Sequence, residues 1–196
     1  MARTQAPDYD LRREAIVAAA AALYARRSFQ GASVADLAKR CKVSKSLIYH
    51  YYAAKEDILF DVMISHVRAL EEAARAVIAG EAPPDAKLRS LARAFMAIYV
   101  GAADRHKVLL NELSRLPKNR RAEIVSVQRG LIEVVRRLLL AVAPRLSAPR
   151  SFTAAMLFFG MINWTHTWFD AEGAVSAEEL ADLAVNTTLS GLRGAA

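Results

Sequence analysis

Apolar residues recur along this chain at helical spacing, and no run alternates as a strand would. Ile16, Ala19, Ala20 and Leu23 mark one face of a helix expected over Asp10–Arg27, with Phe29 closing the same core and Gly31 ending the connection. Val34, Leu37, Ala38 and Cys41 then fall at i, i+3, i+4 and i+7. Ser33 stands before them with Asp36 three residues on, the pattern of a capping box. The pattern breaks at Cys41-Lys42-Val43, and Ser44 is placed to cap a third helix that turns Val43, Ile48 and Tyr52 inward. Lys45, Ser46, Leu47, Tyr49, His50 and Tyr51 are left around that small apolar set. A fourth helix, from about Lys55 to Ala79, carries Ile58, Leu59, Val62, His66, Ala69 and Leu70, and Gly80-Glu81-Ala82-Pro83-Pro84 stops it.

Beyond that stop the pattern predicts a helical bundle. One helix holds Leu88, Leu91, Phe95, Ile98 and Tyr99. A shorter one holds Val108, Leu109, Glu112 and Leu116 before Pro117, and a long one runs through Ile124, Leu131, Val135 and Leu139. Phe152–Phe169 is expected as one helix, apolar nearly all round, and so buried or placed in a subunit interface. Ser176 caps a last helix bearing Leu180, Leu183, Ala184, Thr187 and Gly191. The fold class is therefore all-α. A helix-turn-helix domain is expected over residues 1–54, with a mobile arm at 1–9 that carries Arg3. A larger helical part, joined to it by the fourth helix, is expected over residues 55–196.

Composition narrows the function classes. In 196 residues no apolar run reaches the roughly 18–20 that a membrane span needs. No apolar segment follows Arg3, so no signal peptide is expected, and a cytoplasmic protein is the simplest expectation. Cys41 is the single cysteine, which excludes an intrachain disulfide. The net charge of +7 favours a polyanionic partner. Arg26, Arg27, Lys39, Arg40, Lys42, Lys45 and Lys55 crowd the helix-turn-helix. A second basic group, Arg115, Lys118, Arg120, Arg121, Arg129, Arg136 and Arg137, lies downstream. No phosphate-binding glycine loop and no hydrolase or metalloprotease motif is present, and His66, Glu112 and His166 lack metal-ligand spacing. Neither an enzyme nor a metal or cofactor is expected.

A short helix with polar outward residues fits the DNA major groove. Lys45 can reach a guanine edge or a phosphate, Leu47 suits a thymine methyl, and Tyr49 and Tyr51 offer hydroxyls to phosphate. The stretch SVADLAKRCKVSKSLIYHYYAAKEDIL resembles the DNA-binding domain of the TetR family of transcriptional regulators over about Leu11–Leu59. The matching features are Ser33, Leu37-Ala38, Val43-Ser44, Ile48-Tyr49, Tyr52 and Lys55-Glu56. The resemblance carries DNA contacts over to Ser33, Lys45, Ser46, Leu47, Tyr49, Tyr51 and Lys55. Lys42 and His50 join them as a charge and a polar group at the same surface. It implies a homodimer, paired through the last two helices, on a near-palindromic duplex.

Three positions depart from the family pattern. Lys42 stands where glycine is usual and implies a strained φ > 0. Ser46 stands where Gly, Pro or Ala is common. Ala54 replaces a capping Ser or Asn, which should weaken the fourth helix's start by about 1 kcal/mol.

Leu109–Ile124 and the run NWTHTWFD together resemble the acyl-CoA-sensing branch of that family. The branch takes an acyl group into the bundle and holds the CoA phosphates with cations. The ligand residues expected on that basis are Phe95, Tyr99, Arg115, Arg120, Arg121, Phe159, Asn163, Trp164, His166, Thr167 and Trp168. A repressor sensing another apolar molecule, and a helical carrier without an operator, are the alternatives.

Overall fold

A computed structural model describes residues 7–194. They form α1 (Pro7–Arg27), α2 (Val34–Cys41), α3 (Lys45–Tyr51), α4 (Lys55–Ala79), α5 (Pro84–Gly101), α6 (Ala103–Glu112), α7 (Lys118–Val142), α8 (Ala148–Asn163) and α9 (Ala177–Gly194). Short 3-10 turns cover Leu113–Arg115 and Trp164–Thr167, and no strand occurs among the described residues. Residues 1–6 of the expected arm, Arg3 included, lie outside the described residues. Pro7, Asp8 and Tyr9 are not arm but the first turn of α1. Proline is tolerated there, and Asp8 and Asp10 favour a helix N-terminus.

The chain divides into two compact units, residues 7–66 with 104–124, and residues 67–103 with 125–194. In the first, Ile16, Ala20, Leu37, Ile48, Ile58, Leu59, Val108, Leu109 and Ile124 are buried. Two local devices fix the helix-turn-helix. Ser33 Oγ accepts from Asp36 N at 3.1 Å while Asp36 Oδ2 accepts from Ser33 N at 2.9 Å, so both halves of the capping box form. At the other end of α2, Lys42 adopts φ 55, ψ 41. Its N–H donates to Lys39 O (3.2 Å), and Val43 N–H donates to Ala38 O (3.0 Å), the two bonds of a Schellman stop. Lysine carries a Cβ into a conformation that favours glycine.

Lys42→Gly should therefore raise unfolding stability by about 0.5–1 kcal/mol, after allowing for the greater freedom of glycine in the unfolded chain. If Lys42 also contacts phosphate, the same variant should bind DNA several-fold more weakly, with a salt slope smaller by about 1. Denaturant titration and duplex titrations at three salt concentrations check the two effects separately. A variant no more stable than wild type would mean that the turn carries no strain.

Asp61, buried in α4, joins three elements of this unit. Its Oδ1 accepts from Arg13 Nη2 of α1 at 2.7 Å, and its Oδ2 accepts from the hydroxyl of Tyr52, which ends α3. Burial first, and Asp61 second, push the Tyr52 hydroxyl well above its ordinary pKa, so it stays a donor. A buried carboxylate with both oxygens occupied is stable only while both partners stay, which locks the end of α3 to α1 and α4. Ala54 lacks a capping side chain, as expected. However, Asp57 Oδ2 accepts from Ala54 N at 3.1 Å, so the return half of a capping box partly offsets the loss.

In the second unit Phe95, Phe158, Leu88, Leu91, Met96 and Val135 are wholly buried. α5 and α9 are pinned by Arg93, which grips Asp182 with Nε at 2.8 Å and Nη2 at 2.6 Å, and by Arg89, bonded to Asn186 at 2.9 Å. The hydrogen bond from Arg93 is the largest influence holding the Asp182 carboxyl down at about 2.

The expected single helix over Phe152–Phe169 is corrected. α8 begins earlier, at Ala148, and ends at Asn163. Thr165 Oγ1 donates to Ile162 O (2.6 Å), His166 Nδ1 to Asn163 O (2.8 Å) and Thr167 Oγ1 to Trp164 O (2.8 Å). Three successive polar side chains thus take carbonyls three residues back, and the end tightens into a 3-10 turn.

Candidate nucleic-acid interface and effector site

α3 presents Lys45, Ser46, Tyr49 and His50 to solvent, with Leu47 and Tyr51 half-buried. Ser44 Oγ accepts from Leu47 N at 3.1 Å, so the helix starts firmly despite its seven residues. The Lys45 ammonium lies 5.7 Å from the centre of the Tyr49 ring. That contact holds a cation and a phenol together on one outward face. The Tyr51 ring stacks on Tyr9 of α1, centroids 4.6 Å apart, and His50 meets Tyr51 edge-on at 5.6 Å. α1's first turn therefore braces this end of α3, a role the expected arm did not include.

Two of the expected contacts are already engaged. Ser33 Oγ also donates to Asp36 Oδ2 at 2.6 Å, which leaves its backbone surroundings more than its hydroxyl for a phosphate. The Lys55 ammonium, expected to suit a phosphate, is engaged within the protein. It donates to the carbonyl of Phe29 and lies 4.1 Å over the Phe29 ring. Burial lowers its pKa, and nearby Glu56 and Glu112 oppose that fall. Lys42 stays exposed at the turn.

The residues expected to hold an effector are not all brought together. Phe95 stacks on Tyr99 and on Phe159, centroids 6.3 and 6.0 Å apart, in the buried core of the second unit. Burial pushes the Tyr99 hydroxyl well above its ordinary pKa, so it is a neutral polar group there. Asn163 and His166 are half-buried, with the Asn163 carbonyl taken by His166. Thr167 is exposed, and Trp164 and Trp168 are 65% and 60% exposed. The two tryptophans belong instead to an outward apolar groove of about 650 Å³ on α8 and α9, with Leu157, Met161, Leu180 and Leu183.

Arg115, Arg120 and Arg121 belong to the first unit. Arg120 Nη2 lies 3.1 Å from Asp57 Oδ1 with its guanidinium 4.4 Å over the Phe60 ring, and Arg115 Nε lies 3.7 Å from Glu112 Oε2. Lys118 and Arg121 are exposed. Further along the second basic group, Arg136 and Arg137 both bind Glu133 and draw its carboxyl down to about 2.

A polar pair that the sequence did not single out lies at α4 and α6, where His66 Nε2 is 3.2 Å from His106 Nδ1. Both rings are buried, and burial, with Arg105 adding to it, pushes His66 down to about 4, so it is neutral near pH 7. His106 falls three residues before Leu109, and that spacing is the signal that would have placed it on the inner face. No cluster of three possible metal-binding side chains occurs among the described residues.

Comparison with known proteins decides the family. Residues 16–62 match the family described as bacterial regulatory proteins, tetR family, and residues 81–192 match "Tetracyclin repressor-like, C-terminal domain". The chain belongs to the TetR family of transcriptional regulators. Members of that family bind DNA and ligands and form dimers, and the fold described above is theirs. A TetR-family regulator from Bordetella parapertussis 12822 has a solved structure at 39% identity and TM-score 0.86, covering 90% of this chain and 93% of that one. AibR, solved in complex with isovaleryl coenzyme A and operator DNA, is 26% identical at TM-score 0.79, covering 90% and 97%. The HTH-type transcriptional regulator HbdR of Aromatoleum sp. (strain CIB) is 24% identical over 157 residues, 80% of this chain and 68% of HbdR. No helix among the described residues is long and apolar enough to cross a membrane.

Proposed function

We propose that this TetR-family regulator is a cytoplasmic homodimeric repressor that leaves a near-palindromic operator when it binds an acyl-CoA thioester. The observation that carries the effector is the likeness to AibR over nine-tenths of the chain, since AibR was solved with both isovaleryl coenzyme A and operator DNA. Cations in the 115–121 segment suit the phosphates of such a molecule, because guanidinium groups form charge-assisted bonds to phosphate oxygens. Lys118 and Arg121 are exposed, which leaves them accessible to an anion. The acyl part, the operator contacts at Lys45, Ser46, Leu47 and Tyr49, and pairing through α8 and α9 belong to the same proposal. By linkage, an effector that releases the operator must bind the DNA-free protein more tightly, by the same factor.

The test uses a duplex selected by the protein from a random pool. A series of acyl-CoAs, and the matching free acids, is titrated into the complex while fluorescence anisotropy is followed. Release by at least one acyl-CoA at micromolar concentration, with the free acids inert, is expected. Release by free acids alone would replace the acyl-CoA with an apolar carboxylic effector. Equal affinity for unrelated duplexes would remove the operator.

A further inference from the structure

The helix-turn-helix is bracketed by two carboxylates that share one wiring pattern. Before α2, Glu112 Oε1 accepts from the backbone N–H of Phe29 at 3.0 Å, a bond between residues 83 apart in sequence. The other oxygen of Glu112 faces Arg115 Nε at 3.7 Å. After α3, Asp57 Oδ2 accepts from the backbone N–H of Ala54 at 3.1 Å, and its other oxygen faces Arg120 Nη2 at 3.1 Å. Each carboxylate thus gives one oxygen to an amide at an edge of the DNA-reading segment and turns the other to an arginine, hydrogen-bonded at Asp57 and at ion-pair distance at Glu112. Glu112 is buried, so its charge needs both partners. The Phe29 peptide is gripped on its other side as well, because Lys55 donates to its carbonyl.

We infer that Arg115 and Arg120 form an anion-exchange latch: a phosphate-bearing effector takes these arginines from Glu112 and Asp57, and so loosens both edges of the helix-turn-helix at once. The inference rests on the proposed acyl-CoA reading for the source of the phosphate, and it adds the means of release. Its physical basis is competition. A guanidinium satisfied by one oxyanion has fewer N–H groups left for a second, so effector binding and carboxylate pairing oppose each other. The Arg115 and Arg120 side chains are 46% and 40% exposed, so an anion can reach both guanidinium groups. Glu112, once left with the Phe29 amide and the nearby Lys55 charge alone, holds the present position of that amide less firmly. Asp57, once released from Arg120, no longer ties the start of α4 to the first turn of α7.

Two sets of variants test this in the full-length dimer. The first does not depend on which effector is real. Arg115→Gln with Arg120→Gln is compared with Arg121→Gln, which alters charge in the same segment without breaking a pair. After correction for one lost charge per substitution, the double variant should bind the selected duplex about tenfold more weakly, the product of two half-exposed pairs. Arg115→Lys with Arg120→Lys should recover part of that loss, and circular dichroism should show the same helix content throughout. A double variant no weaker than the charge-corrected control overturns the latch.

The second set is Glu112→Gln with Asp57→Asn, which keeps an acceptor oxygen for each backbone amide but removes the competing charge. It should bind isovaleryl-CoA and inorganic pyrophosphate about fivefold more tightly than wild type, while either ligand changes duplex affinity less than twofold. If pyrophosphate releases the duplex from wild type and no acyl-CoA does, the latch stands and the acyl-CoA proposal falls. If the carboxylate variant responds to ligand as wild type does, the latch falls and the proposed effector stands.

Discussion

Leu157→Asp is expected to turn the protein into a monomer and to cut its affinity for the selected duplex at least a hundredfold. Leu157 is 65% exposed on α8, beside Trp164 and Trp168, and opposite them in the groove Leu183 of α9 is 64% exposed. So much contiguous apolar surface is unusual for a soluble single chain and marks a place where another surface belongs. A carboxylate on an exposed position costs the isolated chain little, but it is costly if a partner would desolvate it. A dimer engages two half-sites, and losing the second turns a bivalent contact into a monovalent one, which is worth about 10²–10⁴ in affinity. Light scattering gives the mass and anisotropy gives the affinity. A variant that remains a dimer in solution would place the subunit interface elsewhere, and Leu183→Asp should act in parallel if the proposed interface is right.

The second large effect is expected at α3. Replacing Lys45 and Tyr49 together by Ala should weaken binding of the selected duplex on the order of a hundredfold, at about 1–3 kcal/mol for each direct contact. Lys45 is exposed and Tyr49 is 46% exposed, so neither holds the core, and the thermal midpoint should move by only a few degrees. The salt slope should fall by about 1 for the lost phosphate or base contact of Lys45. Lys45→Ala alone tests the direction. A double variant with unchanged affinity and unchanged discrimination between duplexes would mean that another surface reads DNA.

The helix-turn-helix was the most legible part of this chain because its devices are local. Ser33 with Asp36, and Ser44 with Leu47, act within three residues, and the left-handed Lys42 follows from a helix ending where glycine is usual. The start of α1 was misplaced because Pro7-Asp8-Tyr9 has no apolar period, although proline and aspartate both suit a helix N-terminus. The end of α8 was less visible. Trp164–Phe169 continues the apolar pattern, and only the choice of Thr165, His166 and Thr167 to bond backward tightens it into a 3-10 turn.

At the candidate sites the same division holds. Exposure of Lys45, Ser46 and Tyr49 follows from spacing. The inward turn of Lys55 depends on Phe29, 26 residues away, and the pairing of Arg120 on Asp57, 63 residues away. No window along the sequence contains either pair. Trp164 and Trp168 illustrate a different difficulty. An aromatic residue at helical spacing reads alike whether it faces its own core or an outer groove, and only the packing of α8 on α9 distinguishes the two.

Because residues 104–124 fold with residues 7–66, the DNA-reading unit is assembled from two separate pieces of chain. Here a single cut after α3 would part the Phe29 amide from its Glu112, and a cut within α4 beyond Asp57 would also part Asp57 from Arg120. A working chimera needs the donor's residues 104–124 carried across with the donor's first three helices and the start of α4 through residue 66, as a matched pair of inserts.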